Sequence, residues 1–146
     1  MRVSKSRMHT IIRVKTHQEK KAQQELVKIQ DKKEKETSVL THLEQSHQSA
    51  ANEAARTSKA RAAEVQTNRA FLQNLSRQIQ QQHKKVGDIR VEEDEKRDEL
   101  LAKSKSKKMV EKLDAKRRAE SMKESERKEQ SVIDGLARRV RRGSRI

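Results

Sequence analysis

The chain has no cysteine, proline, tryptophan or tyrosine, three glycines and one phenylalanine. Without cysteine, disulfides and thiolate metal sites are excluded. With aromatics at 1% and hydrophobic residues at 30%, 146 residues cannot offset the entropy of ordering one globular core. No apolar run approaches the roughly 20 residues that cross a bilayer. The opening stretch MRVSKSRMHTIIRVK is basic but has no apolar h-region, so it does not read as a secretory signal, and the expectation is a cytosolic protein. Disordered chains and long helices with a narrow apolar seam both tolerate such a composition. The scarcity of glycine and absence of proline favour the helices. A chain that is disordered alone and folds on its partner is the alternative.

What is present agrees with long helices. Ala, Glu, Lys, Gln, Arg and Leu dominate, and all are strong helix formers. From Ile12, steps of three and four meet Lys15, Glu19, Ala22, Leu26, Ile29, Lys33, Glu36, Leu40, Leu43, His47, Ala50 and Ala54. That is a coiled-coil seam with polar interruptions, which lower stability and can set register. A second seam runs through Leu72, Leu75, Ile79, Gln82, Val86, Ile89, Glu93, Lys96, Leu100, Lys103, Lys107 and Val110. Leu113 then follows Val110 by three where four is due, which predicts a phase shift, with a later frame at Ala115, Ala119, Met122, Glu126, Glu129, Ile133, Leu136 and Val140. Acid-before-base pairs at i,i+4 (Glu92–Lys96, Glu93–Arg97, Glu99–Lys103, Asp114–Arg118, Glu124–Lys128) support helix on the surface. Gly87 marks a bend, a close helix approach or a tolerated surface glycine, and Gly143 a C-terminal stop.

Between the seams lies ARTSKARAAEVQTNR, with Asn68 as a candidate N-cap. A chain reversal there predicts an all-α fold: an antiparallel two-helix coiled coil, or long helical hairpin, with a longer C-terminal helix. One body over 1–146 is expected, with helix 1 at about 3–57, a turn at about 58–67 and helix 2 at about 68–142. Position i then faces roughly 124 minus i, and about thirty C-terminal residues overhang the short arm. One continuous helix is the alternative.

No catalytic constellation, cofactor loop or metal site is legible. The five histidines include no i,i+4 pair and no H-E-x-x-H. The acids of EEDE at 92–95 point to different sides of a helix. Charge is the informative feature. Net charge is +15, which calls for an acidic or polyanionic partner. Arg2, Lys5, Arg7, Arg13 and Lys15 open the chain without an acid, and Arg138, Arg139, Arg141, Arg142 and Arg145 close it without one. A hairpin gathers both groups at one end and leaves the turn for a different partner. Nucleic acid would accept the basic end through phosphate contacts. Single-strand binding, however, normally adds stacking aromatics, and Phe71 stands far from the tail. A parallel basic zipper is disfavoured by the out-of-phase second arm. A membrane surface would gain little from Leu136, Val140 and Ile146.

The sequence resembles the FliJ family over nearly its whole length. VEEDEKRDELLAKSKSKKMVEKLDAKRRAE at 91–120 is similar to that family's second helix, and ESERKEQSVIDGLARR at 124–139 to its C-terminal signature, with Gly135 where Glu is usual. MHTIIRVKTHQEKKAQQEL is similar to its N-terminal arm. The resemblance implies a non-enzymatic component of bacterial flagellar protein export, folded as an antiparallel two-helix coiled coil like the central stalk of rotary ATPases. Its terminal end would enter the hexameric export ATPase. On this chain that end carries Arg7, Ile11, Arg13, Leu136, Arg138, Arg139, Val140, Arg141 and Arg142. Its other end would reach the cytoplasmic domain of the membrane export gate through a Phe, a Leu four later, a small apolar residue and a His. Here Phe71 and Leu75 match, Gln78 and Gln82 stand at the other two positions, and His83 lies one step on. Export chaperones are further implied partners, with a place at the inner face of the cell membrane. The stalk of injectisome secretion systems has the same architecture.

Overall fold

The computed structural model describes the backbone of residues 2–57 and 61–143 and the side chains from residue 7 onward within those spans. Two helices account for it: α1, Arg2–Arg56, and the longer α2, Ala62–Gly143. They pack against each other as the expected two-helix hairpin. Within the predicted turn, 58–60 lie outside the described residues, as do Ser144, Arg145 and Ile146.

The connection is shorter than predicted, because α2 starts at Ala62 and not near Asn68. Arg61 supplies the cap. Its carbonyl accepts from the N–H groups of Glu64 (2.9 Å) and Val65 (3.1 Å), and the Glu64 carboxylate accepts from the Arg61 N–H at 3.4 Å. This is the acidic half of a capping box, with the glutamate three residues after the cap. At the end of α1, the Thr57 hydroxyl donates to the Glu53 carbonyl at 2.7 Å, satisfying one of the acceptors that every helix end leaves open.

The helices divide into two compact units, one made of 20–102 and the other of 1–19 with 103–146. In the first, Ala22, Ile29, Leu40, Leu75, Val86 and Ile89 form the buried apolar seam. Every seam position predicted between Ala22 and Leu100 is buried or half-buried. The register is also as expected: Lys33, due opposite residue 91, meets Glu93 at 2.5 Å.

In the second unit the seam starts earlier than predicted. Met8 is buried, four residues before Ile12 and in the same frame. The packing also keeps its phase past Val110. Asp114 is the buried residue at 9% exposure, while Leu113 is 45% exposed. The step from Val110 to Asp114 is the regular four. Arg118, at 2.8 Å, makes the inward carboxylate tolerable. Only the apolar pattern shifts, and that shift coincides with the end of packing: from Ala115 to Gly143 every residue is exposed.

The polar interruptions meet one another across the seam. Beside Lys33, Glu93 accepts from Gln30 at 3.4 Å and from Arg97 at 3.0 Å. Glu36 accepts from Gln82 at 2.6 Å and pairs with Lys85 at 2.8 Å. Lys96 reaches Glu25 at 3.3 Å, and His47 meets Ser76 at 3.2 Å. In the second unit Lys107 donates to Glu19 at 2.9 Å. Of the five predicted surface pairs, Glu93–Arg97, Asp114–Arg118 and Glu124–Lys128 form. Lys96 is instead shared between Glu25 across the seam and Glu99 one turn on, because its inward position lets it reach both.

These layers set the pH response. The Lys107 amine holds the Glu19 carboxyl below its ordinary value of 4.5. Lys85 does the same for Glu36, and Lys33 for Glu93. Glu25 raises Lys96, and Glu19 raises Lys107, above 10.5. A depressed carboxyl stabilises the fold above its unfolded value, and that contribution is lost as pH falls through its folded value. A raised amine stabilises below 10.5, and the contribution is lost as pH rises through its folded value. The melting temperature is therefore expected to be flat across neutral pH and to fall below about pH 4.5. Thermal melts by circular dichroism at a series of pH values check this. An equal fall on moving from pH 7 to pH 5.5 would contradict it.

Gly87 makes neither a bend by positive φ nor a close approach. Its φ is not positive, and an added Cβ would meet open space. Gly87→Ala is accordingly expected to stabilise α2 by about 1 kcal/mol. Urea unfolding measures this, and a destabilised variant would show that the glycine has a packing role.

Candidate functional site

Two surfaces follow from this fold. The first is the uncovered part of α2 in the unit containing 103–146. Leu136 and Val140 are exposed, Val140 at 69%, and Arg138, Arg139, Arg141 and Arg142 surround them with no acid after Asp134. Arg7, Ile11 and Arg13 are also exposed, on α1. The two groups are not brought together as predicted. His9 and Ile12 of α1 share a groove with Glu111, Asp114, Ala115 and Arg118. Helical continuation from Ala115 places Val140 about 38 Å farther along α2 at 1.5 Å per residue. The arginine cluster therefore stands apart from the α1 cations because α2 outruns α1.

The second surface lies beside the turn in the unit 20–102. Phe71 is 53% exposed and lines a shallow groove with Ala50, Glu53, Ala54, Glu64 and Asn68. Gln78, two helical turns on, is exposed as well. The other two residues of the predicted patch point into the seam. Leu75 is buried, and Gln82 donates to the Glu36 carbonyl at 2.9 Å and to its carboxylate. Of the four, Phe71 and Gln78 remain available to a partner. His83 sits on the surface within 3.2 Å of Glu44.

Several structural residues went unread in the sequence. Met8 and Asp114 each continue a seam by one step of four, a signal present in the spacing but masked at 114 by polarity. Glu25 stands beside the seam at the position next to Leu26, and only its contact with Lys96 reveals its role. Among the described residues no cluster of His, Asp and Glu could hold a metal, and no helix is long and apolar enough to cross a membrane.

Side chains used for helix pairing, together with exposed charged and apolar faces, define a class: a coiled-coil interaction protein. More narrowly, the chain belongs to the FliJ family, since the model of the flagellar FliJ protein matches residues 4–145. It is thus a non-enzymatic component of the flagellar export apparatus. Neither a curated protein nor a solved structure matches it.

Proposed function

We propose that the chain is the coupling stalk of the export apparatus, with the α2 tail docked in the pore of the hexameric export ATPase and the Phe71 surface turned to the cytoplasmic domain of the export gate. One observation carries the first half. From Ala115 onward α2 has no covering helix, yet it ends in exposed Leu136 and Val140 among four arginines. Uncovered apolar residues set in unopposed positive charge suit an acidic protein surface better than water. The second half rests on Phe71, the chain's one aromatic, left exposed beside the turn where core packing does not use it. Large aromatics in such positions are common interface anchors. With no membrane-crossing helix among the described residues, the protein works at the inner face of the membrane through these contacts.

ATP turnover by the cognate ATPase, titrated with the full chain and with a chain cut before Gly135, tests the docking. Saturable stimulation that disappears with the cut is expected. Full stimulation by the shortened chain, or none by the complete one when the ring assembles, would sink it. Phe71→Ala is expected to weaken gate binding and leave that stimulation unchanged.

A further inference from the structure

The apolar pattern of α2 changes phase where its covering by α1 ends. Carried past Asp114, the paired frame would meet Arg117, Ser121, Glu124, Lys128, Ser131 and Gly135, none of which offers a large apolar side chain. The neighbouring frame meets Ala115, Ala119, Met122, Glu126, Glu129, Ile133, Leu136 and Val140. A step of one residue turns the seam by about 100° around the helix. So α2 carries two seams in succession. α1 covers the first, and the second is bare, with Met122, Ile133, Leu136 and Val140 all more than half exposed.

Charge indicates what covers it. In the second frame the flanking e and g positions hold the cations Lys116, Arg118, Lys123 and Arg139, and otherwise neutral residues; none is acidic. Arg118 is already bonded to Asp114. The acids outside the seam lie on the outer face, where Glu124 pairs with Lys128 at 2.6 Å and Asp134 accepts from Gln130 at 3.0 Å. A second copy of the chain, parallel or antiparallel, would bring basic and neutral flanks against basic and neutral flanks, with no opposite charge to select the pairing. Glu126 and Glu129 interrupt the seam itself. In the first seam the inward glutamates at 19, 36 and 93 are each met by an amine or amide from the opposite helix.

We infer that the second seam docks an acidic amphipathic helix of another protein: apolar at three-four spacing, flanked by Asp or Glu, with Lys or Arg in the layers opposite Glu126 and Glu129. This deepens the proposed tail docking and rests on that reading only for where the helix comes from. The probe is a synthetic helical peptide with Leu at the seam positions, Lys at the two layers facing Glu126 and Glu129, and Glu at every flank. The control carries Lys at every flank. Titrated calorimetrically into the full chain, the acidic peptide is expected to bind at least tenfold more tightly than the control. The advantage should shrink with salt, and the chain alone should sediment as a monomer. Ile133→Asp is expected to abolish acidic-peptide binding without moving the melt of the α1–α2 pair. Equal binding of both peptides, or self-association that Ile133→Asp removes, overturns the inference. In the ATPase assay, an Ile133→Asp chain that stimulates fully while the chain cut before Gly135 does not would also overturn it, and would leave the tail docking standing. Peptide discrimination without any ATPase stimulation would do the reverse.

Discussion

Ile89→Ala is expected to remove much of the cooperative stability of the unit 20–102. Ile89 is 3% exposed, Val86 beside it is 4%, and few apolar residues of that unit are buried at all. Truncating a buried isoleucine forfeits its transfer free energy and leaves a cavity, about 2–5 kcal/mol in well-packed proteins. A two-helix seam can partly collapse onto the gap, so the lower figure, about 2 kcal/mol, applies here. Against a total on the order of 5–15 kcal/mol, that is a large fraction. Urea titration followed by circular dichroism measures it. Val91→Ala provides the comparison, because Val91 is 59% exposed on the same helix and its truncation should change stability by less than about 0.5 kcal/mol. Equal effects at the two positions would mean that α1 does not cover Ile89 in solution.

The contrast between those positions was already written in the spacing. Ile89 lies three after Val86 in the second seam, and Val91 lies off it. Three-four spacing is legible from sequence because helix geometry alone decides which side chains share a face. Every seam position from Ile12 to Ala54 and from Leu72 to Val110 is buried or half-buried. What spacing cannot show is which face a partner covers when two faces are available. At Leu113 and Asp114 the apolar pattern and the packing frame part company, and α1 follows the frame. The turn differs from its expected bounds for a local reason: Asn68 has the composition of a cap, but the Glu64 carboxylate three residues after Arg61 closes the helix start earlier. At the candidate gate surface, family resemblance supplied four positions on one stripe. The seam spacing places two of them, Leu75 and Gln82, on its inner edge, and their burial and contact with α1 agree. The arginine tail was visible as charge. Its separation from the α1 cations follows from the overhang of about thirty residues that the hairpin register predicts, and the exposure of 115–143 agrees with it.

Glu93→Lys is expected to be still more damaging than Ile89→Ala, and to be rescued from across the seam. Glu93 is 4% exposed and holds Lys33 from α1 together with Arg97 and Gln30. Reversing its charge sets a new amine beside Lys33 and Arg97 and takes away the carboxylate that Lys33 meets, while Arg97 keeps Asp94 at 3.5 Å. Removing one member of an inward ion pair strands the other, which costs more than the intact pair contributes. The expected outcome is a lower melting temperature than for Ile89→Ala, with loss of concerted melting in 20–102. Adding Lys33→Glu returns an opposite pair to the layer and is expected to recover most of the loss, while Arg97, facing the new lysine at 93, keeps the recovery incomplete. Lys33→Glu alone places two carboxylates together and should be destabilising at pH 7, with its deficit relative to the parent chain narrowing as pH is lowered and they protonate. A double-mutant cycle over the four chains isolates the coupling. If the double variant melts no higher than Glu93→Lys, the layer does not hold α1 and α2 in register, and the register rests on the apolar residues alone.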